Sequence, residues 1–185
     1  MKHFRLAAAL AFALVSTAAS ADEASPIHYN YLDLGYYNLD SDADGYMVRG
    51  GFKIADSGVF ATASYARVNL DVLDVNVNLY SFGLGYAHSI AASTDLTGEV
   101  AYQKLAVLGE SADAWRGTVG VAHAFSDKFQ GSLKVNHYFG GDLDSSDTTG
   151  TAAAELAFTP NWSAIGEVEF GSGDSTYLVG GRYNF

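Results

Sequence analysis

Ser-Thr-Tyr-Leu-Val-Gly-Gly-Arg-Tyr-Asn-Phe, residues 175–185, is the stretch that decides the fold. Every second position from 177 to 185 is apolar or aromatic except Gly181; these residues are Tyr177, Val179, Tyr183 and Phe185. Arg182 lies on the opposite face. Apolar residues that recur with period two are typical of a β-strand with one apolar and one polar face. The end of the chain is therefore predicted to be a two-faced strand.

The same period recurs along most of the chain, in segments of about ten residues separated by turn-forming clusters. Ten strands are predicted, at 29–37, 45–55, 59–68, 77–88, 96–106, 113–124, 129–139, 150–159, 162–171 and 175–185. An even number of strands suits an antiparallel up-and-down barrel whose two chain ends lie on one side. A count of eight, with one hairpin merged, is the alternative.

The connections between these segments fall into two alternating classes. Short turns are predicted at 55–58, 89–95, 125–128 and 160–161. Acidic and mostly longer loops are predicted at 38–44, 69–76, 107–112, 140–149 and 172–174. Short turns at one end and longer loops at the other are typical of barrels in bacterial outer membranes.

The N-terminus carries an export signal. Lys2, His3 and Arg5 precede an apolar run at 6–15, and Ala19-Ser20-Ala21 has the small-x-small pattern of a cleavage site. A membrane-spanning helix is the alternative, but it needs about 20 apolar residues. Residues 1–21 are therefore predicted to be a cleaved signal peptide, and residues 22–185 one barrel domain.

Composition excludes several classes of protein. The formal net charge is −11, and nucleic-acid binding needs a basic surface, so no nucleic-acid partner is expected. There is no cysteine, so an exported fold would have no disulfides. Two prolines and 14% aromatic residues suit many uninterrupted strands.

Two arrangements fit the alternation: a soluble barrel with the apolar face inward, or a membrane barrel with that face outward. Aromatic residues concentrate near both ends of the strands, as in the girdles of membrane barrels. The charges on the opposite face nearly balance and can pair inside a narrow lumen. The predicted lumen network comprises Asp33, Arg49, Glu99, Arg116, Lys134, Glu155, Glu167, Glu169 and Arg182.

Two candidate sites in the outer loops have only weak support. Asp40, Asp42 and Asp44 match the first half of an EF-hand loop, but Gly51 stands where the bidentate Glu is required. We therefore expect no metal site there. His137 is the one mature histidine predicted near the outer rim, beside Asp142 and Ser145, and a non-enzymatic protein with no cofactor is expected.

The C-terminal strand also resembles a known signal. Gly180, Tyr183 and Phe185 are similar to the assembly signal of outer-membrane barrels, with Leu178 as a departure where a polar residue is usual. This resemblance implies the barrel-assembly machinery and periplasmic chaperones as partners. Lipid and lipopolysaccharide of the cell outer membrane would surround the barrel, which is expected to be a monomer.

A family resemblance extends over the whole mature chain. Its residues are Tyr29-Asn30-Tyr31, the acidic loop at 42–45, Leu84-Gly85-Tyr86 with His88, and the segments 159–162 and 173–177. They look like the sulfation-dependent quorum factor family, within the outer-membrane β-barrel superfamily. The resemblance implies outer-membrane residence and release in vesicles. Three functions stay open: a structural or surface-interaction role, a narrow pore, and an exported signalling factor.

Overall fold

A computed structural model describes residues 26–39, 43–55, 57–70, 75–143, 145–171 and 175–185. Within them the chain forms ten strands: β1 Tyr31–Leu39, β2 Ala43–Lys53, β3 Val59–Leu70, β4 Val75–Ala91, β5 Thr94–Val107, β6 Glu110–Ser126, β7 Phe129–Phe139, β8 Asp147–Ala157, β9 Trp162–Phe170 and β10 Ser175–Asn184. The prediction of ten strands is confirmed, and the alternative of eight is wrong. The predicted signal peptide lies outside the described residues.

The ten strands form one closed antiparallel barrel in which each strand pairs with its neighbours in sequence. The barrel closes between β1 and β10, in a continuous register from Tyr31 opposite Asn184 to Leu39 opposite Thr176. Closure gives every strand a partner on both sides, so no sheet edge is left with unpaired backbone groups. No helix of the described residues is long and apolar enough to cross a membrane.

The outer surface of the barrel is apolar. Large side chains at the middle of the strands are more than half exposed: Leu34, Phe82, Leu84, Val100, Val119, Leu133 and Val179. Their sequence neighbours point inward, as Leu178 shows at 2% exposed beside Val179 at 64%. The fold is therefore that of a barrel with its apolar face to lipid, and the soluble arrangement is wrong.

Exposed aromatic rings lie near both ends of the strands. One set is Tyr36, Tyr46, Tyr80, Trp115, Phe170 and Tyr177, and the other is Phe52, Tyr86, Phe129, Phe158, Trp162, Tyr183 and Phe185. Within the second set Trp162 packs against Tyr183 at a ring-centroid distance of 4.9 Å. These two belts flank the apolar band at the depths where an aromatic ring can contact both lipid and water.

Two predicted connections are shorter in the structure. The predicted turn at 89–95 is mostly strand, because β4 extends to Ala91 and β5 begins at Thr94. The predicted loop at 107–112 is reduced to Leu108 and Gly109, whose φ values of 52° and 92° are typical of a two-residue hairpin. Polar residues such as Glu110 continue the hydrogen-bonded pairing of β5 with β6. They can do so because these strands extend beyond the lipid, where water solvates polar side chains.

Candidate functional site

Asp33 on β1 lies at the centre of the charged lumen. It is 1% exposed, and the sheet register places it directly opposite Arg182 on β10 and Arg49 on β2. Arg182 donates from Nε and Nη2 at 2.6 and 2.9 Å, and Arg49 donates from Nε at 3.0 Å. One carboxylate therefore joins two guanidinium groups across the seam that closes the barrel.

Both arginines extend this cluster to β8 and β9. Arg49 Nη1 donates to the Glu167 carboxylate at 3.1 Å, and Arg182 Nη1 donates to Glu155 at 2.8 Å. Glu155 also accepts hydrogen bonds from Gln130, Ser163 and Asn184. The resulting five-residue ion-pair network links the five neighbouring strands β2, β1, β10, β9 and β8 on one side of the lumen.

A second, smaller set of charges comes from β5, β6, β7 and β9. Arg116 Nη2 donates to Glu99 at 2.9 Å, while the buried Arg116 Nε has no hydrogen-bond partner. Glu169 accepts hydrogen bonds from the hydroxyls of Tyr138 and Thr149, both at 2.6 Å. Lys134 forms no ion pair or hydrogen bond with any described side chain. The nine predicted network residues all lie on inward positions, and only Lys134 lacks a bonded partner.

Two cavities within the lumen meet at this ring of charges. We call the end of the barrel that holds Pro26 and Phe185 the periplasmic end, as in outer-membrane barrels. An outer vestibule of about 530 Å³ opens toward the other end, and an inner cavity of about 170 Å³ lies below it. Eight residues line both spaces: Tyr31, Arg49, Thr62, Glu99, Arg116, Lys134, Glu167 and Glu169. They form the constriction of the lumen.

The segment that precedes β1 lies inside the periplasmic mouth. The first strand was predicted to start at Tyr29, but β1 starts at Tyr31, and the Tyr29 ring stacks on Phe60 at 5.1 Å. Its hydroxyl donates to Asp95 at 2.8 Å, and burial together with this carboxylate raises the pKa of Tyr29. Residues 26–30, which we call the N-terminal plug, thus separate the inner cavity from a third cavity of about 440 Å³.

Sequence reasoning missed Asp95, which it had placed in a turn. The structure buries Asp95 at 2% exposed, where it accepts hydrogen bonds from Tyr29 and Ser89. The period-two pattern contained the signal, because Asp95 has the same parity as Glu99 within β5. Assigning the turn to only two residues would have placed this carboxylate inside the lumen.

The two weak candidate sites gain little from the structure. Asp40 and Asp42 lie outside the described residues, and Asp44 is part of β2, opposite Asn38 and Asn69. In the described ranges no group of three His, Cys, Asp or Glu side chains could hold a metal ion. His137 points outward, where it contacts Thr148 at 2.9 Å and stacks on Phe139.

The residues of the predicted assembly signal lie at the seam of the barrel. Gly180 faces Gly35 across the β1–β10 pair, and a Cβ on Gly180 would lie within 2.5 Å of the Gly35 Cα. On the outer surface Tyr183 stacks on Phe185 and makes a tilted contact with Trp162. The glycine thus permits a close approach of the two strands, and the aromatic pair belongs to the periplasmic belt.

No family model matches the chain, and no curated protein matches it. The resemblance to the sulfation-dependent quorum factor family therefore stays a prediction. Among solved structures, the KdgM porin is similar with a TM-score of 0.54 and 13% identity, over 84% of this chain and 99% of that one. The COG4313 outer membrane channel from Pseudomonas putida F1 is similar with a TM-score of 0.57 and 8% identity, over 90% and 99%. The chain has the fold of small outer-membrane β-barrel proteins.

Proposed function

We propose that this protein is a non-enzymatic barrel of the cell outer membrane that acts as a narrow pore for ions or small solutes. The observation that carries the proposal is that the two lumen cavities adjoin at a constriction built from side chains. They meet at eight shared residues, all of which belong to barrel strands. Side chains alone therefore form the constriction, and a small shift of those side chains would join two spaces that can each hold water.

The charges of the constriction fit passage of polar solutes. Arg49 pairs with Glu167 three strands away, and Arg116 pairs with Glu99 on the neighbouring strand, so both signs of charge line the constriction. Such rings of charged side chains are a common way for a pore to select among ions. The KdgM porin has also been solved in complex with disordered oligogalacturonate, which is a precedent for a barrel of this fold that binds a solute.

Single-channel recording in a planar lipid bilayer tests the proposal. Refolded mature protein should give steady openings whose conductance rises with salt concentration. Heat-unfolded protein in the same detergent is the control. If refolded protein that shows heat-dependent gel mobility gives no openings, the pore is excluded, and a structural or surface-interaction role becomes the better explanation.

The location and the partners of the protein in the cell are inferred from its barrel fold and its C-terminal strand. We infer that the protein is exported, assembled through its C-terminal strand by the barrel-assembly machinery, and surrounded by lipopolysaccharide in the outer leaflet. Periplasmic chaperones would accompany it before insertion, and it would be a monomer. Release in vesicles and a signalling role remain secondary to the pore. An unboiled gel of outer-membrane extract tests the location, since a soluble periplasmic protein without heat-dependent mobility would contradict it.

A further inference from the structure

One side of the outer vestibule is apolar, which is unusual for the lumen of a membrane barrel. Each of the four adjacent strands β2 to β5 contributes one apolar residue, and the strand register places each residue directly beside the next. In strand order they are Met47, Ala66, Leu79 and Leu105. All four line the vestibule, and Leu178 on β10 lines it as well. We call these five residues the apolar belt. Met47, Leu79 and Leu105 are partly or well exposed, whereas Ala66 at 0% and Leu178 at 2% are covered by their neighbours. The belt is therefore an apolar wall that offers water no hydrogen-bonding group.

The facing wall of the vestibule is polar and contains one cation without a bonded partner. Tyr138, Thr149 and Glu169 are hydrogen-bonded to one another on this side. Lys134 lines both cavities on the same side and forms no ion pair or hydrogen bond with any described residue. A partly buried ammonium group is stable when it contacts water or an anion, because an unpaired charge is costly to bury.

The nearby carboxylates are already engaged. Glu167 pairs with Arg49, and Glu99 pairs with Arg116. Arg116 Nε, close to the same constriction, is a further buried donor without an acceptor. The vestibule floor thus offers the Lys134 ammonium as a partly exposed cationic donor, and Arg116 Nε would become a second donor only after its side chain turns toward the lumen. An oxygen anion satisfies them better than a neutral group or a cation does.

We propose that the outer vestibule binds small carboxylates with an apolar body. The apolar part would pack on the belt, and the carboxylate would accept hydrogen bonds from Lys134 and Arg116. The vestibule volume of about 530 Å³ falls within the range of about 300–1,000 Å³ found for small-molecule sites. This binding does not require conduction, so the inference stands or falls separately from the pore.

Isothermal titration calorimetry on the protein in lipid nanodiscs tests the inference, with empty nanodiscs as the blank. Phenylacetate is the probe, 2-phenylethanol is its uncharged analogue, and acetate lacks the apolar body. Phenylacetate should bind about tenfold or more tightly than either, which is the size of one charge-assisted hydrogen bond. Equal binding of phenylacetate and 2-phenylethanol, or tighter binding of phenethylamine, would overturn the proposal.

Variants assign the binding to the two walls. Lys134→Gln should remove the preference for phenylacetate over 2-phenylethanol, whereas Lys134→Arg should keep it. Leu79→Ser should weaken both aromatic probes together. Lys128→Gln is the matched control, since Lys128 is exposed in the turn at the periplasmic end. Unchanged preference in Lys134→Gln protein with normal heat-dependent mobility would contradict the assignment. If that variant does not fold, the comparison of probes on the wild-type protein still decides.

Discussion

Replacing Asp33 by Asn should destabilise the barrel more than any other change of one lumen charge. The change keeps the shape of the side chain but removes the negative charge that two arginines share through three hydrogen bonds. Removing one partner of a buried ion pair costs about 3–5 kcal/mol. Arg49 and Arg182 keep Glu167 and Glu155 as partners, so we expect the lower end, about 3 kcal/mol.

Urea unfolding of the protein in lipid vesicles measures this loss. Trp115 and Trp162 are exposed on the outer surface, so their fluorescence reports the loss of lipid contact. With a slope of about 1–3 kcal/mol per M urea, the midpoint should fall by about 1–3 M. Gel mobility without boiling gives a second, independent record of the folded fraction.

Asp147→Asn is the matched control. Asp147 is exposed at the outer end of β8, on the face that points into the barrel. Among the described residues its side chain accepts one hydrogen bond, from the backbone N–H of Thr148. Its loss should change the free energy of unfolding by less than about 0.5 kcal/mol. If Asp33→Asn also changes it by less than about 1 kcal/mol, water in the lumen solvates both arginines, and the ion-pair network does not stabilise the barrel.

Three further predictions concern the plug, the lipid face and the seam. Tyr29→Ala removes the contacts with Phe60 and Asp95, so single-channel conductance should rise; an unchanged conductance would show that the plug does not limit the current. Leu34→Arg near the middle of β1 should cost about 2–4 kcal/mol in urea unfolding from vesicles, and a negligible cost would contradict the lipid-facing assignment. Deletion of Phe185 should lower the outer-membrane level of the protein more than a loop change such as Asp142→Asn, measured on immunoblots; equal levels would refute the assembly signal.

The period of two in the sequence was sufficient for most of the fold. Each alternating segment assigns its own inner and outer face, as Leu178 and Val179 illustrate, because successive side chains of a strand point to opposite sides. Charges placed on the inner face by this rule, such as Arg49 and Glu167, do lie in the lumen. The same alternation placed the aromatic residues of both belts on the outer face.

Turn lengths were harder to predict, since the residues of a tight hairpin and of a strand beyond the lipid are equally polar. The segment at 107–112 is acidic and small, yet only Leu108 and Gly109 leave the ladder. The same error hid Asp95. Whether such residues pair depends on the facing strand, which the local sequence does not contain.

The partners inside the lumen were decided by the tertiary structure alone. Asp33 and Arg182 are 149 residues apart, and they meet because the barrel closes between β1 and β10 in one particular register. The register of β2 to β5 gathers Met47, Ala66, Leu79 and Leu105 on one wall, and Lys134 has no bonded partner among the described residues. Sequence alone determined which way each side chain points, because that depends on a local alternation. Which side chains face one another depends on strand register and closure, and these are properties of the whole barrel.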